Sequence, residues 1–335
     1  MTGSRTKLKA KSTRKALIFA IAAAFLIALP WLPTSGPYFI HVCILIFTYI
    51  IATSSVRTVY VSGQATIGHA MFMGIGAYTS ALLALRLGWN PWVTIPCGAL
   101  GATAVAVVSG YFFSRTRGFY YSMVTLFFGV AVEALIRSWV KLTGGRAGLI
   151  NVPGMGVINV PGIGPIDFLV SKVPYYYLLL LLAVLTLFIL YRLERSRTGM
   201  NWMAIAQSPL VASSIGISET KFRVLAFAAG SFFAGLAGAA YVHYSSVVSS
   251  SNFDFMASIN LVIFMLFGGM THFAGPIIGV IVLVAIPEIF RSFRQYAPFI
   301  FGGVMLLVIF LMPQGLAGLY ASVRPRLSRL FDRGG

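Results

Sequence analysis

Apolar runs of about 20 residues recur along this chain from end to end, and no other feature limits its fold so strictly. At ~1.5 Å of rise per residue, such a run coiled as a helix crosses a hydrocarbon core of about 30 Å. The runs fall at 16–33, 38–56, 64–85, 92–113, 119–140, 173–192, 222–246, 257–271, 275–290 and 297–313. In lipid every backbone amide and carbonyl needs a partner within the protein, so these runs must be helical. The expected class is an all-α polytopic membrane protein with about ten transmembrane helices. Of the 335 residues, 58% are hydrophobic and 10% charged, and the mean hydropathy is +0.88. Residues 16–320 are therefore read as one transmembrane domain between basic tails at 1–15 and 321–335.

The formal charge of +18 would suit a nucleic-acid partner, but its distribution argues against one. Basic residues gather between apolar runs: Arg5 to Lys15, Arg115 and Arg117, Arg192 to Arg197, and Arg324 to Arg333. Such grouping orients a membrane protein by the positive-inside rule. With ten spans and the N-terminal tail inside, both termini are cytoplasmic (N-in/C-in), and most of the 25 Lys and Arg residues lie on that side. The apolar run at 16–33 is long and lacks a clear small-residue exit site, so it is expected to be an uncleaved first span.

Several chemistries are missing. The sequence contains no G-x-x-x-x-G-K-[ST] loop, no H-E-x-x-H, no C-x-x-C and no G-x-S-x-G, so neither nucleotide hydrolysis nor a metal or serine hydrolase is encoded. His41, His69, His243 and His272 lie in different segments without ligand spacing. The chain is not expected to be an enzyme or to hold a metal. Energy for uphill transport would have to come from an ion gradient or from a partner that hydrolyses ATP.

Two breaks inside the apolar spans stand out. "SGQATIGHAMFMGIGAYTSALL" (62–83) interleaves glycine with polar residues, and "FGGMTHFAGPIIG" (267–279) separates two short apolar runs. Irregular backbone at membrane depth is tolerated only inside a bundle or along a cavity, and Gly/Pro-interrupted segments point to translocation pathways. Gln64, Thr66, His69 and Tyr78 are candidate pathway residues, with Gly268 and Gly269 giving access to the backbone. Tight helix packing accounts for the same residues about as well. Glu133 with Arg137, and Glu288 with Arg291, have the spacing of pairs along one helix.

Two loops are long enough to carry function. The external one, 141–172, is punctuated by Gly and Pro and repeats "INVPG" at 150–154 and 158–162, which favours turns over helix. It reads as an ordered connector or as a docking surface. In the cytoplasmic loop 193–221, Ser208 is placed to cap a short helix with Pro209 at its first position and Gly216 at its stop. Leu210, Val211 and Ile215 offer an apolar side, suited to lipid head groups or to a groove on a partner.

These segments, with "RGFYYSMVTL" (117–126), "LTGGRAGL" (142–149), "SIGISETKFRVLAFAAGSFFAGLAGAAY" (214–241) and "MPQGLAGL" (312–319), resemble in order and spacing the LivM-type permease subunits of branched-chain amino acid ABC importers. The resemblance implies a multi-pass protein of the bacterial inner membrane that pairs with a second, homologous permease. It further implies two cytoplasmic ATPase subunits that hydrolyse ATP, a periplasmic substrate-binding protein, and no cofactor on this chain. The loop at 193–221 would then carry a coupling helix, with Ala204, Ile205, Gln207, Leu210, Ala212, Gly216 and Ile217 in register. Family members commonly carry charges where this chain has Met200, Met203, Ala206, Gln207, Pro209 and Ser213, so docking here would depend on shape and apolar contact. Relatives of this architecture also carry urea, amides and aromatic acids, and an ion-coupled secondary transporter is the alternative from a different class.

Overall fold

The computed structural model describes residues 24–31, 36–160, 164–168, 171–289, 302–303 and 315–316. Helix α1 (Pro37–Val61) is followed by α2 (Ala70–Leu87), α3 (Pro91–Phe113), α4 (Phe119–Ser138) and the single turn α5 (Val140–Thr143). Then come α6 (Val173–Glu194), α7 (Arg197–Gln207), α8 (Pro209–Ser214), α9 (Glu219–Ser245), α10 (Phe255–Gly268) and α11 (Gly275–Ile289). Among the described residues seven helices are long and apolar enough to cross a bilayer: α1, α2, α3, α4, α6, α9 and α10, the last counted with a 3-10 turn at Ser250–Phe253. The shorter α11 is apolar as well. Eight of the ten expected spans thus have a helix. The first is described only from residue 24 and the tenth only at 302–303, so the rest of both, and the pairing of Glu288 with Arg291, lie outside the described residues.

The expected span at 64–85 is corrected at its start, because the helix begins at Ala70 and residues 62–69 form an irregular connector. Side chains of α4 satisfy its backbone: Ser122 Oγ donates to the Ala65 carbonyl at 2.6 Å, and Ile67 N–H donates to Thr125 Oγ1 at 3.3 Å. Those partners make non-helical chain tolerable inside an apolar bundle. The span expected at 257–271 stops at Gly268, where Gly269 turns to a φ of +110°.

Helix α9 occupies the centre and packs on α1, α2 and α3. Its sequence permits this because small residues fill the contact: a Cβ on Gly76 of α2 would collide with the backbone of Gly235, and one on Gly98 of α3 with the Gly76 carbonyl. Three backbones therefore meet where side chains would hold them apart. Helices α4 and α6 are peripheral and expose Phe127, Leu181 and Phe188, as lipid-facing or partner-facing helices do.

The loop at 141–172 contains strands that its Gly/Pro punctuation does not announce. Strand β1 (Leu149–Ile150) pairs antiparallel with β4 (Val247–Val248), and β2 (Val157–Val160) with β3 (Gly164–Asp167). The second "INV" of the repeat lies within β2, whereas the first contributes only Ile150, the last residue of β1. A buried polar cluster fixes this loop to the bundle. His243 Nε2 lies 2.8 Å from Ser80 Oγ and 3.0 Å from Thr94 Oγ1, its Nδ1 lies 2.7 Å from the Pro153 carbonyl, and Tyr175 OH donates to the His243 carbonyl at 2.8 Å.

Candidate functional site

The loop at 193–221 folds as two helices joined at Ser208. Helix α7, over Arg197–Gln207, precedes the short helix expected from Ser208, and it is held by its aromatic side: Trp202 is buried and its Nε1–H donates to the Phe222 carbonyl of α9 at 2.8 Å. Helix α8 has the expected bounds. Ser208 Oγ accepts from Val211 N–H, and Pro209 takes the first position, where its missing N–H costs nothing.

Its stop is a Schellman turn. Gly216 sits at φ +84°, Ile217 N–H donates to the Ala212 carbonyl and Gly216 N–H to the Ser213 carbonyl, both at 3.0 Å. A left-handed residue is needed there, and glycine adopts it without a Cβ penalty. Only Ala212 of α8 is buried, whereas Leu210, Val211 and Ile215 are 81%, 60% and 70% exposed. The apolar side of this helix thus faces away from its own subunit. Ser213 and Ser214 turn their hydroxyls back onto the Leu210 and Val211 carbonyls at 2.8 Å.

The seven residues aligned with a coupling helix divide by direction. Ile205 and Ala212 are buried anchors, Ala204 and Ile217 are half-buried, and Gln207, Leu210 and Gly216 are exposed. Behind them lies a cavity of about 690 Å³ lined by Arg57, Gly63, Phe119, Glu194, Met203 and Gln207. It joins the loop to the ends of the membrane helices. Gly63, at the start of the 62–69 connector, is so close to Ala206 that an added Cβ would lie 2.9 Å from the Ala206 Cα. Arg57 Nη1 and Nη2 donate to the Glu194 carboxylate at 2.6 and 2.9 Å, while its Nε donates to the Met270 carbonyl at 3.2 Å. The turn between α10 and α11 is thereby linked to α1 and to the end of α6. At the start of α9, Glu219 binds both Arg223, one turn on, and Arg117 Nη2, the latter at 2.7 Å.

The residues singled out for a pathway lie inside the subunit. Gln64, Thr66 and His69 come together on the connector, and Tyr78 sits on α2; all four are buried. His69 Nε2 is 3.0 Å from Ser55 Oγ, and its ring packs by Phe72 and Phe227. Gly268 packs against Gly275 and Gly279, where a Cβ would collide with backbone, while Gly269 lies against Gly275 and Gly315. None of these six residues lines the cavity behind α7 and α8, the cavity beside His243, or a further cavity beside Asp254.

The cavity beside Asp254, of about 300 Å³, is absent from the sequence-based expectations. Asp254 lines it, as do Asn252 and Asn260. Asp254 precedes an apolar run and caps α10, its Oδ1 accepting from Ala257 N–H at 2.9 Å. The signal available in sequence was the polar run "SSSNFD" (249–254) set between two apolar spans.

Residues 38–313 match the family described as branched-chain amino acid transport system / permease component. The high-affinity branched-chain amino acid transport system permease protein LivM of Escherichia coli (strain K12) is 31% identical, over 94% of this chain and 77% of the relative. Its namesake from Salmonella typhimurium (strain LT2) is 30% identical over the same shares. No solved structure matches the chain. A glycine-packed bundle of membrane-length helices, a loop at 193–221 that turns its apolar face outward, and a match spanning most of the sequence lead to one conclusion: the chain belongs to the family of branched-chain amino acid transport permeases.

Proposed function

We propose that this chain is one of two homologous membrane subunits of a bacterial ABC importer for branched-chain or other small hydrophobic amino acids. It crosses the inner membrane ten times, with both termini in the cytoplasm. A periplasmic binding protein delivers the solute, and two cytoplasmic ATPase subunits hydrolyse ATP; this chain contributes a conduit and a lever and binds no cofactor. The observation that carries this reading is the outward apolar face of α8, with Leu210 at 81% exposure on a helix capped at both ends. Such a face, rigid and unpaired on its own subunit, suits a groove on a partner.

In this reading Gln207, Leu210 and Gly216 meet the ATPase, while Ala204, Ile205, Ala212 and Ile217 hold the helices to the bundle. Closure of the ATPase pair moves α7 and α8, and the Gly63 contact passes that motion to the connector that carries Gln64, Thr66 and His69. Tyr78, Gly268 and Gly269 then act within the moving bundle, at the walls of the pathway.

The test is purification of the tagged chain from cells that express its gene neighbourhood, followed by labelled leucine uptake into proteoliposomes. An ATP-hydrolysing subunit should co-purify, and uptake should need ATP and the binding protein. A chain that accumulates leucine alone on an ion gradient would overturn the proposal.

A further inference from the structure

The 300 Å³ cavity that Asp254 lines lies between the centre of α1 and Tyr241 in the last turns of α9. It is lined by Leu45, Thr48 and Tyr49 at the centre of α1, and Asp254 also faces Gly129 and Val130 at the centre of α4. The chain reaches this position because α9 ends at Ser245 and residues 246–254 fold back into the bundle before α10 starts. Gly74 of α2 accommodates Phe253 there, and Ala70 N–H donates to Ser258 Oγ at 3.1 Å.

Asp254 differs from Glu133, Glu194 and Glu219. Each of those three pairs with an arginine, whereas among the described residues Asp254 meets only the Ala257 amide. A carboxylate at membrane depth without a cation is costly and marks function by default. Its neighbours Asn252 and Asn260 are exposed on the same cavity. Carboxamides facing lipid would be unsatisfied, so this opening faces an aqueous path or another subunit. Met73 and Leu261 supply an apolar wall. The volume is at the lower end of the ~300–1,000 Å³ usual for small-molecule sites.

We infer that this cavity is a transit site for the α-amino acid, with Asp254 receiving the substrate ammonium, Asn252 and Asn260 hydrogen-bonding its carboxylate, and Met73 and Leu261 contacting its side chain. The inference rests on the amino-acid transport reading and assigns the chemistry within it. Binding is by hydrogen bonds and charge alone, with no covalent step.

The experiment uses the complete importer in proteoliposomes with labelled leucine and saturating binding protein. Asp254→Asn keeps a side chain that caps α10 and removes the charge. Uptake should fall at least about tenfold, the order expected for one charge-assisted hydrogen bond. The thermal unfolding temperature of the complex should not fall, because the cap is kept and a charge held without a cation is removed. If the asparagine variant assembles poorly, Asp254→Ser, a second neutral cap, is measured per assembled complex. Uptake by either variant within about twofold of wild type overturns the site and leaves the transport reading standing. A wild-type importer that moves no branched-chain amino acid overturns both.

Discussion

Arg57 and Glu194, 137 positions apart, form a two-pronged ion pair with N–O distances of 2.6 and 2.9 Å. It ties the last turns of α1 to the end of α6, and through the Met270 and Thr271 carbonyls it also holds the α10–α11 turn. The Arg57 and Glu194 side chains are 5% and 18% exposed, so removing one partner leaves a charge with little water to replace it. Arg57→Met is therefore expected to cost about 3–5 kcal/mol, and adding Glu194→Met should recover most of that loss, because a buried pair replaced by apolar side chains is close to neutral. Denaturant titration of the two single variants and the double variant in detergent checks this; equal and additive losses would contradict it.

Glu219 offers a contrast within one cluster. It binds Arg223, 5% exposed, and Arg117, 67% exposed. Glu219→Gln strands the buried Arg223 and should destabilise by about 3 kcal/mol. Arg117→Ala removes a solvent-screened contact and should change stability by less than about 0.5 kcal/mol. The comparison is read from thermal unfolding of the two variants, and a larger loss for Arg117→Ala would reverse the assignment of which contact matters.

What could be read from sequence was local. Ser208, Pro209 and Gly216 specify α8 by rules that act within one or two turns, and the helix has those bounds. Apolar length located eight helices for the same reason. Glycines mark the break at 62–83, but they do not show that residues 62–69 are non-helical, because the backbone partners there, Ser122 and Thr125, lie 57 and 58 residues away. Arg57 and Glu194 likewise look like ordinary ends of spans until the fold joins them. Asp254 stands in a polar run that nothing local marks as a cavity wall; the fold shows it capping α10, and its place beside the centre of α1 follows only from the path of residues 246–254. The hairpin of β2 and β3 lay hidden in a stretch rich in Gly and Pro.

At the centre of the bundle, Gly235 lies against Gly98 and Gly76 with backbone touching backbone. An added Cβ there cannot be relieved by a rotamer change, because its neighbours include the Gly98 carbonyl and the Ala99 Cα as well as the Ala102 methyl. Gly235→Leu should therefore cost several kcal/mol, on the order of ~3 or more, and lower the amount of folded protein in the membrane. Gly88→Ala is the control, since nothing lies within 4 Å of its Cβ position, although its φ of +65° carries a strain of about 1 kcal/mol. Fluorescence-detected size exclusion of the two variants measures the difference, and a monodisperse Gly235→Leu protein at wild-type yield would show that the three backbones can separate.

Leu210 and Ala212 are two positions apart on α8 and face opposite ways, one 81% and the other 2% exposed. A change at each therefore tests a different link. Leu210→Glu adds a charge to a surface that touches nothing in this subunit, so insertion and thermal stability should stay within about 0.5 kcal/mol of wild type. Uptake should nevertheless fall at least tenfold, because about 1.4 kcal/mol of lost contact is already that factor and burying an uncompensated carboxylate costs more. Ala212→Leu should instead lift α8 from the bundle and lower stability by about 1–3 kcal/mol through overpacking. Recovery of the ATPase subunit by affinity purification, measured beside uptake, separates the two. Leu210→Glu should lose the ATPase from a stable permease, and normal recovery with normal uptake would remove Leu210 from the contact.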